Sequence, residues 1–366
     1  MEISFLGECL AVYKSIVRCF SEMPAFILLD TSLSLQIIAK NRQGGFEMCN
    51  IIFTWGHRLR YFVLLLLLLP LISCSKEPTK TLYSDLHDYS FTLEHVPYAQ
   101  LFKNRERIFD TWNAEPQDAD GVYLFPYAGG LYYHPVNLCF KSLEALSDYD
   151  HTAEPKYLSH AEKSMEALRR NAVRYKNMLY FPYQFDFSEG TQVTYTAPWF
   201  SGMAQGTALS AYCRLYHYTE NPLYKAVADS ILATFTDFDS PYSGVLISAE
   251  DTLLKGPRYY WVDEYPMHSR RYVLNGSIIG SMGLYDHWWV FGDDLSAKLF
   301  SCEMTSIKDN ILLYRNPSER SAYCLLYRQK YVDYHIVHIQ LLNLCTLLTG
   351  DEYFAAISDL FYADSH

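Results

Sequence analysis

Beyond Cys74 no two cysteines of this 366-residue chain stand in a CxxC or zinc-type spacing. The sequence therefore offers no structural zinc site and no obvious redox pair, and it calls for neither a metal nor a cofactor. The five cysteines concerned, Cys139, Cys213, Cys302, Cys324 and Cys345, are odd in number, widely spaced and mostly set in apolar helical patterns. They read as buried thiols rather than a disulfide framework. Charge is also scarce: 19% of residues are Asp, Glu, Lys or Arg, and the net charge is −11. An acidic chain of this kind is a poor partner for nucleic acid. Long apolar runs are lacking too. The best one, Tyr61-Phe62-Val63 and six leucines closed by Pro70, is too short to cross a membrane comfortably.

What that run resembles is the core of a leader. Arg58-Leu59-Arg60 precedes it, and Leu71-Ile72-Ser73-Cys74 follows as a bacterial lipobox would. The expectation is a signal peptide over 48–73, acyl chains on Cys74, a tether and lead-in over 74–118, and one large domain over 119–366. Residues 1–47 are then expected to come from a start codon placed too early, not from a domain. The protein would sit on a bacterial cell envelope, anchored in the membrane through Cys74. A buried apolar helix or an uncleaved anchor is the competing reading of 58–74. The first 73 residues hold six basic and five acidic side chains, so a chain starting at Cys74 carries −12.

Aromatics are plentiful, at 16% with 32 tyrosines. Tyr-rich surfaces suit sugars, because each ring offers an apolar face and a hydroxyl; an aromatic core is the alternative. From about residue 135 the apolar periodicity predicts eight helices: 135–150, 156–176, 201–219, 221–238, 272–291, 294–314, 333–348 and 351–362. Strand-like segments are predicted at Met178–Phe187, Val245–Ser248, Arg258–Val262 and Ala322–Tyr327. The odd helices are the more apolar and the even ones carry charge on one face, as inner and outer helices do. The expected fold is mainly α: an α/α barrel of about four helical hairpins with short β-hairpins between them, an irregular helical bundle being the alternative. The segments before the inner helices are polar and aromatic. If the inner helices run parallel, these segments and four helix N-termini meet at one end, a seat for a carboxylate.

Four segments carry a likeness in sequence order. They are Pro198-Trp199-Phe200-Ser201-Gly202-Met203-Ala204-Gln205-Gly206; Glu264-Tyr265-Pro266 with Asn275-Gly276 nine residues on; Asp333-Tyr334-His335 with His338-Ile339; and, more loosely, Tyr132-Tyr133-His134-Pro135-Val136-Asn137. Together they resemble the heparosan and heparan D-glucuronyl C5-epimerases over roughly residues 120–362. The resemblance implies a catalyst that takes a proton from one face of a uronate ring and returns one to the other, with a uronic-acid polysaccharide as partner. It makes Glu264 and Tyr334 the proton-handling pair and Tyr265 and Tyr323 its supports. It places His134, Asn137, Asn275, Trp199, Gln205, Arg328, His335 and His338 among the substrate contacts. A homodimer is compatible with the reading.

An unperturbed phenol ionises near pH 10, so Tyr334 serves as an acid as it stands. To act as a base it needs a cation nearby, for which Arg328, His335 and His338 are the candidates. The sequence departs from the family pattern in places. Where the family has Tyr-Asp-Leu-Arg, this chain has Tyr323-Cys324-Leu325-Leu326, so the arginine is missing at 326. His134 replaces a tyrosine of the animal enzymes, and their large β-rich N-terminal region, with any calcium site in it, has no room here. Some residues also have a plain structural reading: His338 as a core histidine, Trp199 and Gln205 as packing at a helix entry, Gly206 and Gly276 as close-packing positions. Glu264 is harder to explain that way, since a buried unpaired carboxylate is costly. A uronate lyase and a non-catalytic glycan-binding lipoprotein remain as other functions.

Overall fold

The structure, a computed structural model, describes residues 25–29, 34–40, 46–52, 85–104, 115–189, 193–248, 253–254, 256, 258–266 and 270–365. Cys74 and the leader-like segment around it lie outside the described residues. The chain forms two units, Met1–Lys80 and Thr81–His366. In the first, β1 (Ala25–Leu29), β2 (Ser34–Lys40) and β3 (Phe46–Ile52) form an antiparallel sheet, with Ile27 opposite Ile37 and Ile37 opposite Cys49. The leader reading does not anticipate this sheet.

The second unit is mainly helical. Eight helices are found among the described residues: α1 (Pro135–Thr152), α2 (Pro155–Arg170), α3 (Gly202–Thr219), α4 (Pro222–Leu232), α5 (Leu274–Phe291), α6 (Asp294–Asn310), α7 (Val332–Thr349) and α8 (Glu352–Ser365). Local chemistry sets their ends. Pro135, Pro155 and Pro222 occupy first-turn positions that need no N–H. Asn221 and Asp293 side chains accept from backbone N–H groups of the first turns of α4 and α6. Gly292 and Gly350 turn the chain out of α5 and α7 in the left-handed conformation, each with φ of 66°.

The helices pair as α1–α2, α3–α4, α5–α6 and α7–α8, and the first members pack in sequence order, α1 on α3, α3 on α5 and α5 on α7. This is the α/α barrel of four hairpins that the spacing predicts. Its centre is the α3–α5 contact. A Cβ built on Gly206 would lie 1.7 Å from the carbonyl oxygen of Gly280, and one on Gly283 would lie 2.1 Å from that of Gly206. Backbone therefore touches backbone there, and α5 is buried all along Leu274–His287. The five cysteines are buried and unpaired.

Between the helices lie short antiparallel hairpins: β4–β5 (Phe125–Tyr127, Gly130–Tyr132), β6–β7 (Val173–Tyr175, Met178–Tyr180), β8–β9 (Phe187–Glu189, Val193–Tyr195) and β10–β11 (Val245–Ser248, Tyr259–Val262). Three expectations need correction. Helix α2 stops at Arg170 rather than 176, because Val173–Tyr175 turns back to pair with β7. Met178–Phe187 is not one strand but the ends of two hairpins. Ala322–Tyr327 is not a strand; it makes one isolated bridge, Cys324 to Val273, and turns over. The lead-in from Leu86 onward lies along the barrel wall. Tyr89 N–H donates to Thr305 Oγ1, Phe91 N–H to Ser301 Oγ, and Trp289 Nε1 to the Val96 carbonyl. No described helix is long and apolar enough to cross a membrane.

Candidate active site

The first turns of all four inner helices open on one cavity of about 600 Å³. His134 and Asn137 come from the start of α1, Ser201 and Met203 from α3, Asn275 and Ile279 from α5, and Tyr334 and Val337 from α7. The segment before α5 adds Glu264 and Tyr265. The expected convergence of helix N-termini is thus observed. An aromatic wall completes the cavity: Phe125 and Tyr127 of β4, then Tyr183, Phe185 and Phe187 at every second residue of an extended run, then Trp199. Alternation places such side chains on one side of the backbone. Trp199 stacks on Tyr183 with ring centroids 3.7 Å apart, and its Nε1 donates to the Phe185 carbonyl.

The acid–base candidates form one cluster. Tyr323 Oη donates to Glu264 Oε2 at 3.3 Å, and its ring lies 4.6 Å from that of Tyr334. Glu264 is 9% exposed, Tyr323 3% and Tyr334 39%. Glu264 and Tyr334 therefore share one cavity, with Tyr323 linking them from behind. Gly276 holds the glutamate in place: a Cβ there would lie 2.1 Å from Glu264 Oε2. Asn275, the next residue, is 4% exposed, and its Oδ1 has no hydrogen-bond partner among the described residues.

The family model of the D-glucuronyl C5-epimerase C-terminus matches residues 175–362, about half of the chain. The chain belongs to that family. Among curated relatives, the D-glucuronyl C5-epimerase of Caenorhabditis elegans is 26% identical over 186 residues, 44% of this chain and 28% of that protein. The chain thus aligns with little more than a quarter of its relative. Among solved structures, a cellobiose 2-epimerase from Bacillus thermoamylovorans superposes with a TM-score of 0.44 at 13% identity, over 63% of this chain and 59% of that one. A glycoside hydrolase family 76 mannosidase from Bacteroides thetaiotaomicron gives 0.38 at 14%, over 67% and 60%.

Several residues that the resemblance to the C5-epimerases offers as substrate contacts do not reach the cavity. Gln205 is buried, and its amide is taken by the chain itself: Oε1 accepts from Phe181 N–H, and Nε2 donates to the Leu179 carbonyl and to Thr234 Oγ1. It splices β7 to α3. Arg328 lies away from the site, donating to the Leu313 carbonyl and to Asn316 Oδ1. His335 and His338 both bond to Ser321 and are buried, as core histidines. None of these three lines the cavity, so none is the cation beside Tyr334. Conversely, motif matching passes over Tyr183, Phe185 and Phe187, although their alternation in 183–187 was readable, and it passes over Lys103, for which the sequence carries no signal. Among the described residues no three His, Cys, Asp or Glu side chains gather as a metal site.

Burial dominates the electrostatics. It pushes the His134 imidazole down to about 4 and the Asp263 carboxyl up to about 6. The Tyr323 phenol is raised well above 10 by burial, then by the charge of Glu264 beside it. Behind the site Glu303 is fully buried and raised well above 4.5, again by burial. It accepts from Val262 N–H and from Ser277 Oγ, bonds that ease the charged form but do not outweigh burial. Its folded affinity for the proton exceeds the unfolded one, so its stabilisation is full below pH 4.5 and is lost as pH rises through the folded value. Glu303→Gln mimics the neutral acid atom for atom. The variant is expected to melt no lower than the native chain at neutral pH and to lose this part of the fall in stability above pH 4.5. Melting curves across that range check it; a variant that tracks the native profile and melts lower everywhere refutes the neutral acid.

Proposed function

We propose that the protein inverts C5 of D-glucuronate residues in a glycosaminoglycan-like polysaccharide, giving L-iduronate. The observation that carries this is the meeting of Glu264, Tyr265 and Tyr334 on one aromatic-walled cavity at the mouth of four helix N-termini. A cavity of this size is in the range that takes sugar-sized ligands. The aromatic wall offers ring faces for pyranose C–H groups.

Removing H5 is hard because the neighbouring carboxylate is already an anion. Glu264, short of water, takes the proton; the C–H electron pair moves into the C5–C6 bond, and the carboxylate becomes an enediolate. The helix N-termini and Asn275 face that growing charge. Tyr334 then delivers its phenolic proton to C5 from the other side, and both groups return to their starting states through solvent. Lys103 is the single Lys or Arg among the described lining residues and already faces Glu144 at 3.6 Å. The cavity therefore favours a polymer whose charge is its carboxylates over a heavily sulfated one.

Incubation with heparosan in deuterated water tests the proposal. Label is expected at C5 of the uronate, with no rise in ultraviolet absorbance and with less label on heavily sulfated heparin. A rise in absorbance means that the C4 bond is expelled and the protein is a lyase; no label and no rise leave a glycan-binding protein. Tyr334→Phe is expected to slow label entry by about 100-fold, within the usual range for a lost proton donor, with glycan binding kept.

A further inference from the structure

The cation missing beside the catalytic phenols is found at a position that no family motif marks. Arg271 is fully buried. Its guanidinium carbon lies 4.9 Å from the ring centroid of Tyr265 and 5.3 Å from that of Tyr327. Its Nη1 donates to Tyr195 Oη at 3.2 Å, and Tyr195 in turn stacks on Tyr265 with centroids 5.1 Å apart. Arg271 does not itself line the cavity; Tyr265 does. Its backbone is equally placed. The Arg271 carbonyl accepts from Leu325 N–H at 3.0 Å and Leu326 N–H at 3.4 Å. Leu326 is the position at which the resemblance expects an arginine. The segment that lacks an arginine is thus hydrogen-bonded to one that carries a buried arginine.

We propose that Arg271 is a positioning residue: stacked on Tyr265 and tied to β9 through Tyr195, it fixes the Tyr265 ring beside Glu264 and favours negative charge on its oxygen. This rests on the epimerase reading only in giving Tyr265 a part in proton transfer. A guanidinium over a phenol face, out of water, makes the phenolate less costly. The groups around Tyr265 pull in both directions. Asp263, whose Oδ1 accepts from Tyr265 N–H, and the adjoining Glu264 oppose the phenolate. Tyr195 and Tyr323 are neutral phenols that can hydrogen-bond to charge. Arg270 is exposed and acts on Asp263. Arg271 is the buried cation that offsets the two carboxyls. The assignment makes Tyr265 the phenol suited to share the proton that Glu264 has taken and leaves Tyr334, partly in water, as the donor.

The test is Arg271→Gln beside Arg271→Lys, read in two ways. On heparosan, Arg271→Gln is expected to lower kcat for deuterium entry about 100-fold with KM within about threefold, and to move the alkaline limb of the pH profile up by about one unit; Arg271→Lys recovers part of both. Independently of substrate, isotope-labelled tyrosine NMR, with Tyr265 assigned through Tyr265→Phe, follows the phenol directly. Tyr265 is expected to ionise before Tyr323 in the native chain and later in Arg271→Gln. An unmoved Tyr265 titration, an unmoved alkaline limb, or a loss confined to KM overturns the assignment. If Arg271→Gln does not fold, the native titration still decides: a Tyr265 that ionises no earlier than Tyr323 refutes it. A native protein without exchange activity sinks the epimerase reading but leaves this titration to be judged alone.

Discussion

Glu264→Gln is expected to abolish deuterium entry at the uronate, by about 1,000-fold or more, within the upper part of the range for a lost general base, while leaving the melting temperature unchanged. The two halves of the prediction have separate causes. Gln cannot accept a proton from carbon, so the first step has no taker. It does keep an oxygen to accept from Tyr323 Oη, the bond seen at 3.3 Å, so Tyr323 and through it Tyr334 stay in place. Glu264 is 9% exposed, and the amide matches the carboxylate in shape, so the packing around it is kept. Exchange measured by mass spectrometry, with a melting curve on the same sample, separates the cases. Loss of activity with loss of fold would show a structural glutamate. Retention of a tenth of the native rate would mean that another group takes the proton, and the mechanism proposed above would fall.

The contrast with Glu303 sharpens this. Both are glutamates in low-dielectric surroundings, and sequence alone ranks them by motif only. Glu303 meets Ser277 and Val262 N–H, with no side open to the cavity, and is held neutral. Glu264 accepts from Tyr323 Oη and lines the cavity. The same residue type is thus a structural acid at one site and a candidate base at the other, distinguished by what each faces.

Much of the fold could be read from the residues because the signals are local. Prolines at first-turn positions, Asn221 and Asp293 as caps and glycines after α5 and α7 fix helix ends through their own backbone chemistry. The alternation of apolar inner and charged outer helices then leaves few arrangements other than stacked hairpins. The errors fall where the deciding partner is distant in sequence. Nothing within 322–327 says that its backbone will bridge once to Val273 and bond to Arg271 instead of forming a ladder. Nothing within 171–176 announces that helix α2 yields to a hairpin with 178–180, though Val173 and Tyr175 favour a strand. The site divides in the same way. Glu264, Tyr265, Asn275 and Tyr334 are in motifs and do meet at the cavity. His335, His338 and Gln205 sit in the same motifs because they build the helix entries, and a motif does not say which of its members face outward. Arg271 could not be found by motif at all, since its place is defined by contact with Tyr265 and Leu326.

Gly276→Ala is expected to cost about 100-fold in kcat for a methyl group that never touches the sugar. A Cβ at 276 would lie 2.1 Å from Glu264 Oε2 and 2.6 Å from Glu264 Cβ. The glutamate side chain must therefore move, by about an ångström, and a displacement of that size at the reacting group costs rates on this order. The fold gives way less, because what is struck is a side chain beside a cavity, and overpacking of this kind costs about 1–3 kcal/mol. Gly206→Ala supplies the comparison. Its Cβ would lie 1.7 Å from the Gly280 carbonyl oxygen and 2.6 Å from Gly280 Cα, so backbone meets methyl and α3 must separate from α5. That variant is expected to lose the folded state, seen as collapse of the melting transition, before any question of rate arises. Rates and melting curves on the two variants together discriminate. If Gly276→Ala is as active as the native chain at equal stability, Glu264 tolerates displacement and is not the base. If Gly206→Ala melts like the native chain, the α3–α5 contact is not the centre of the barrel. Two glycines in two shared motifs thus do different work, one keeping helices together and the other keeping a carboxylate aimed.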